Sequence, residues 1–203
     1  MGQLRLIEPS EDYADQIMAY RTALLTAKEP FWGCGELDKA DSYEQWIREL
    51  NRCDTDREPS LVYLALRKSD RKIVGMVEFF QFQSFRLQHT CGNLLCNILP
   101  EERGKGLGSE LLEKMLERCW MVGCSNQLLV CDGSDPAAVG MIRHNGGKWL
   151  DQVEDVLGIG HSGMLQRYRL PVREIQEDLD DTYFDWFTQH WYRPGKDPDS
   201  YWD

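Results

Sequence analysis

Arg103-Gly104-Lys105-Gly106-Leu107-Gly108 is the stretch that decides how this chain is read. An apolar run from Leu94 to Leu99 precedes it and ends in Pro100. A helical pattern from Ser109 to Trp120 follows. Strand, glycine-rich turn, helix is an order that predicts an anion site. Glycine lets backbone approach a ligand without interference from a Cβ. The helix start adds unpaired N–H groups and the positive end of a dipole. Arg103 and Lys105 place positive charge beside the turn, and phosphate is the ligand such a turn suits best.

Two common phosphate loops do not fit. The Walker loop closes on Gly-Lys-Ser/Thr, and Gly108-Ser109 lacks the Lys. The dinucleotide fingerprint Gly-x-Gly-x-x-Gly begins at Gly104 but meets Ser109 where its last Gly belongs. The spacing that fits is Arg-x-x-Gly-x-Gly, at Arg103, Gly106 and Gly108. It resembles the pyrophosphate motif of the GNAT superfamily of N-acetyltransferases, Gln/Arg-x-x-Gly-x-Gly/Ala. Downstream, Gln127 to Cys131 reads as a buried strand. Pro136 suits the first position of a helix, and Gly146-Gly147 suits a left-handed stop at its end. This segment resembles the short helix of the same superfamily, in the Asn-Gly-Gly form of a bacterial branch. The resemblance covers roughly residues 60 to 170.

The resemblance implies an α/β fold: one mixed, centrally splayed β-sheet with helices on both faces. It implies a GNAT-like domain over residues 1–173, with 174–203 as a C-terminal extension. The strands around Leu99 and Leu128 become parallel neighbours that splay apart, joined by a right-handed crossover. Pantetheine enters that gap. It implies acetyl-coenzyme A as co-substrate, with Cys96, Asn97 and Ile98 on pantetheine through backbone. The pyrophosphate is assigned to Arg103, Gly104, Lys105, Gly106, Leu107, Gly108 and Ser109, and Asp135 stands where the family has an Asn. The N–H that polarises the thioester falls within Leu95 to Asn97.

The net charge of −11 argues against nucleic acid and favours cationic substrates such as amines. No apolar run reaches the length of a membrane span, and no signal-peptide pattern opens the chain. Seven cysteines lie scattered without CxxC pairs. They read as reduced, buried thiols of a cytoplasmic protein, with no metal.

Along the chain, Gln3 to Glu8 reads as an edge strand. A helix opens at Ser10 and carries Tyr13, Ile17, Tyr20 and Leu24 on one face. Glu29 to Ala40 reads as loop. A second helix, capped by Asp41 or Ser42, runs through Trp46 and Leu50. Leu61 to Leu66 and Ile73 to Phe82 read as paired strands, then Gly92 to Leu99 as another. The helix from Ser109 has an apolar stripe that includes Trp120. Trp149 to Leu157 and Met164 to Leu170 are the last strands. The extension combines acids with Tyr183, Phe184, Trp186, Phe187 and Trp191. Thr182 to Trp191 reads as an amphipathic helix covering an apolar face of the domain or of a second subunit.

The catalytic groups of the superfamily do not carry over. Ile142 stands at the usual Tyr acid position, and Gly92 at the position of a strand Glu base. Glu78, flanked by Val77 and Phe79, is the candidate base acting through water, against a Glu on a solvated sheet face. His89 is a candidate proton relay and Tyr168 a candidate phenol, with surface and core as their plainer roles. Asp132 and Asp135 read as helix caps or as amine ligands. Trp32, Trp46 and Trp149 read as core or acceptor-pocket walls. The function expected is acetyl transfer to a primary amine of a small molecule by direct attack in a ternary complex. A protein amine as acceptor, or non-catalytic acyl-coenzyme A binding, are the alternatives.

Overall fold

The computed structural model describes residues 2–52, 59–80, 84, 87–88, 90–156 and 163–173. The extension, with its expected helix, lies outside the described residues, as does His89.

The first strand, β1 (Leu4–Ile7), leads through a 3-10 turn at Glu11–Tyr13 into α1 (Ala14–Ala27). Ser10 makes no side-chain cap here; the 3-10 turn takes its place. Ile17, Tyr20 and Leu24, spaced by three and four, form the buried stripe of α1. Lys28 stops the helix in a left-handed conformation. Ser42 caps α2 (Tyr43–Leu50) by accepting the Gln45 N–H, while Gln45 Oε1 accepts the Asp41 N–H. Strands β2 (Ser60–Arg67), β3 (Ile73–Phe80) and β4 (Leu94–Ile98) complete an antiparallel sheet in the order β1-β2-β3-β4.

After β4 comes α3 (Leu107–Met121), then β5 (Asn126–Asp132), α4 (Pro136–His144), β6 (Lys148–Glu154) and β7 (Met164–Pro171). The last three strands form a second antiparallel sheet in the order β5-β7-β6. The splay between β4 and β5 is therefore deep enough to divide the sheet in two. Among the described residues the two halves meet at a single bridge, Gly92 to Leu129, of antiparallel type. There the Asn93 N–H donates to the Leu128 carbonyl at 2.8 Å.

Helices cover both faces of the first sheet. Val62, Leu64 and Met76 pack with Ile17, Leu24, Leu37 and Trp46 on the α1/α2 side. On the other side α3 buries Leu107, Leu111, Leu112, Met115, Leu116 and Cys119, each contributing about 1.5–3 kcal/mol when fully buried. Trp120 falls outside that stripe and is 42% exposed. Gly75 leaves room for β4, since a Cβ there would lie 2.6 Å from both the Asn97 carbonyl and Ile98 Cδ1. No helix among the described residues is long and apolar enough to cross a membrane.

Candidate active site

The glycine turn has the backbone geometry of an anion cradle. α3 begins at Leu107 rather than Ser109, so Gly106 is its N-cap, at φ 80°. Gly104 is also left-handed, at φ 75°. A Cβ on either would meet nothing within 4 Å, so these glycines serve conformation and open space, not packing. The first helical bond runs from the Glu110 N–H to the Gly106 carbonyl. The N–H groups of residues 104 to 109 consequently have no partner among the described residues. Such a run at the start of a fifteen-residue helix is suited to a diphosphate.

The two cations of the turn are not free. Lys105 Nζ lies 2.8 Å from Glu102, and Arg103 grips Glu29 with both terminal nitrogens at 3.0 and 2.8 Å. Arg103 Nε also donates to the Ile98 carbonyl. Glu102, only 4% exposed, gathers Arg67, Lys72 and Lys105. Lys105 chiefly, with Arg67 and Lys72, holds its carboxyl down to about 2, against the opposing effect of burial. A carboxyl depressed in the folded state stabilises above its ordinary value near 4.5, and that stability is lost as pH falls toward 2. Glu102→Gln should therefore lower the melting temperature by several degrees at pH 7, with the deficit vanishing between pH 4.5 and 2. A deficit that persists at pH 2 would contradict this.

The edge of β4 that faces the gap is open. Phe80 N–H donates to the Asn93 carbonyl, and Leu99 N–H to the Val74 carbonyl. In an antiparallel ladder this alternation turns Leu95 and Asn97 toward β3, and Leu94, Cys96 and Ile98 toward the gap. Arg103 takes the Ile98 carbonyl. The Cys96 N–H and carbonyl and the Ile98 N–H keep no partner among the described residues. Of the three residues expected on pantetheine, Asn97 turns its backbone to the β3 ladder, and Cys96 and Ile98 turn theirs to the gap. The Asn97 side chain donates to the Pro30 carbonyl, at 2.6 Å.

Residues 29 to 36 are stitched over β4 on the α1/α2 side. Arg103 holds Glu29, and Asn97 holds Pro30. Gly33, at φ 73°, sits so close that a Cβ would lie 2.3 Å from the Leu95 carbonyl. The Trp46 indole N–H reaches the carbonyls of Cys34 and Gly35. Glu78, 7% exposed, accepts the Gly35 N–H on Oε2 and the Ser60 hydroxyl on Oε1. Glu78 is therefore not on a solvated sheet face. Trp46 is core, and Trp149 is 56% exposed.

Asp135 is a helix cap, accepting from the N–H groups of Ala137 and Ala138. Tyr168 is core, its hydroxyl on Gln166. Ile142 is fully packed beneath Gly147. A Cβ at Gly92 would lie 2.2 Å from the Leu128 carbonyl, so that position is occupied by the join between the sheets. Burial, foremost, pushes the Cys96 and Cys131 thiols up to about 12 and about 11. A polar cavity of about 580 Å³ lies on the second sheet among Gln88, Leu128, Asp151, Arg167 and Arg169. Sequence reasoning missed Glu29, Glu102 and Asn145. An acid beside a basic turn was the signal for the first two; the third stood in a motif read only as a helix stop.

Residues 22–146 match the model of the acetyltransferase (GNAT) family. The chain belongs to the GNAT acetyltransferase family. It is accordingly an acyltransferase of the kind that uses acetyl-coenzyme A. Solved structures share the fold at low identity. A chimera of spermidine N-acetyltransferase SpeG from Vibrio cholerae and hSSAT is 16% identical with TM-score 0.59, over 84% of this chain and 96% of that one. The ribosomal-protein-S5-alanine acetyltransferase of Vibrio fischeri is 13% identical with TM-score 0.62, over 87% and 97%. The yncA protein of Salmonella typhimurium, a putative acetyltransferase solved with acetyl-CoA, is 16% identical with TM-score 0.55, over 88% and 99%. A search of curated proteins finds no match.

Proposed function

We propose that this acetyltransferase moves an acetyl group from acetyl-coenzyme A to a primary amine of a small cationic molecule, by direct attack in a ternary complex. The observation that carries the reading is the continuity of unpaired backbone donors, from the cradle at residues 104–109 to the β4 edge at Ile98 and Cys96. A diphosphate suits the first set and an amide-bearing arm the second. When bound, acetyl-coenzyme A supplies an activated thioester carbonyl. The Cys96 N–H, fixed on a strand, is placed to donate to that oxygen as charge develops on it. The roof at residues 29–36 limits water on the opposite side. The net charge of −11 raises the local concentration of cations. Spermidine, named for one similar structure, is an amine of that character.

Transfer through an enzyme thiol is disfavoured, because Cys96 and Cys131 stay protonated at neutral pH. Cys96→Ala and Cys131→Ala should each keep turnover within about threefold, with no acetylated protein seen by mass spectrometry after mixing with acetyl-coenzyme A. Loss of turnover in either variant together with an acetylated wild-type thiol would favour a covalent route. The function itself is tested by release of free coenzyme A thiol across a panel of mono-, di- and polyamines. Amine-dependent release is expected. Binding of acetyl-coenzyme A without release on any amine would sink the proposal.

A further inference from the structure

Asn145-Gly146-Gly147 does more than end α4. Asn145 is 1% exposed. Its side-chain nitrogen donates to the Met141 carbonyl and, across to α3, to the Ser109 carbonyl, each at 3.1 Å. Two carbonyl partners fix the orientation of the amide, because only the nitrogen end can donate to them. The two glycines let the chain turn sharply enough to leave Asn145 there. Gly146 is left-handed at φ 83°, and a Cβ on Gly147 would lie 2.7 Å from the Ile142 carbonyl. A second contact reinforces the tie: a Cβ on Gly108 would lie 3.2 Å from Met141 Sδ and 3.8 Å from Ile98 Cγ1. The first turn of α3 is thus seated between α4 and the end of β4.

We infer that Asn145 is a positioning residue for the diphosphate of the acyl donor, acting through the Ser109 carbonyl. The inference rests on the reading of residues 104–109 as the diphosphate cradle. Ser109 carries the last unpaired N–H of that cradle among the described residues, and its carbonyl is where the buried side chain of Asn145, at the end of α4, holds it. Releasing the tie leaves α3 packed through its apolar stripe but lets its first turn drift relative to the β4 edge. Diphosphate contacts and arm contacts then fall out of register, whereas a ligand lacking the diphosphate does not sense the change.

The test is affinity for two ligands that differ in that group. Coenzyme A is measured by calorimetry and pantetheine by NMR titration, for wild type, Asn145→Ala and Asn145→Ser. The serine keeps one donor on a short side chain and serves as the comparison should the alanine variant not fold. Asn145→Ala should weaken coenzyme A about tenfold while pantetheine stays within about twofold. Asn145→Ser should fall between wild type and alanine. Equal loss for both ligands would mean a general structural role and overturn the inference. Unchanged coenzyme A affinity in both variants would overturn it too. A wild type that does not bind coenzyme A would overturn both this inference and the reading of the cradle.

Discussion

Gly106→Asp should abolish measurable coenzyme A binding, a loss of at least a hundredfold, while leaving the fold intact. Two effects combine. Gly106 is left-handed at φ 80°, where a side chain costs roughly 1–2 kcal/mol. The new carboxylate also stands at the mouth of a cradle whose ligand is a diphosphate. Like charges about 4 Å apart repel by about 1 kcal/mol in water and about 4 kcal/mol near a protein surface. The free turn can relieve the strain by leaving the left-handed conformation, so binding has to restore it. With the protein-surface repulsion the two effects reach about 5 kcal/mol, above the ~2.7 kcal/mol that a hundredfold loss requires. The fold should survive because nothing lies within 4 Å of the added Cβ. Gly106→Ala isolates the backbone cost and should lose only about five- to thirtyfold. Calorimetry on the three proteins, with melting curves as the control, decides it. Retained affinity in Gly106→Asp would remove the cradle from the account.

Glu78→Ala should lower kcat/KM for the amine by about tenfold or more, and Glu78→Gln by no more than about threefold. Both carboxylate oxygens already accept hydrogen bonds, one from Gly35 in the roof and one from Ser60 on β2. An amide of the same shape keeps an acceptor for Gly35 and offers a donor to the Ser60 oxygen. Alanine loses both ties and loosens the roof. The proton of the amine then leaves to solvent, so the rate should rise with pH until the amine's own pKa is passed. A loss of a hundredfold or more in Glu78→Gln, with a flattened pH profile, would instead make Glu78 the general base and overturn this assignment.

The parts of the fold legible in the sequence were those set by local rules. Ile17, Tyr20 and Leu24 mark one helix face, Ser42 and Asp135 cap their helices, and Gly104 and Gly106 mark a turn. The candidate cradle is legible for the same reason, because it needs only consecutive backbone N–H groups after a glycine turn. The segment over β4 is not. It is held by contacts between residues far apart in sequence: Glu29 with Arg103, Pro30 with Asn97, Gly35 with Glu78. No periodicity marks such pairs. The apolar pattern of β4 gives no sign of which backbone groups, Asn97 or its neighbours, face β3. That parity appears only with the register. Trp120 was placed in the stripe of α3 on residue type, although it sits one position past the buried Cys119.

The most direct test of the account is a crystal structure of the protein grown with acetyl-coenzyme A. The diphosphate oxygens should lie within hydrogen-bond distance of N–H groups from residues 104 to 109, with the thioester oxygen on the Cys96 N–H and the arm on the Ile98 N–H. Acetyl-coenzyme A bound away from the turn, or with Cys96 and Ile98 still without partners, would contradict it.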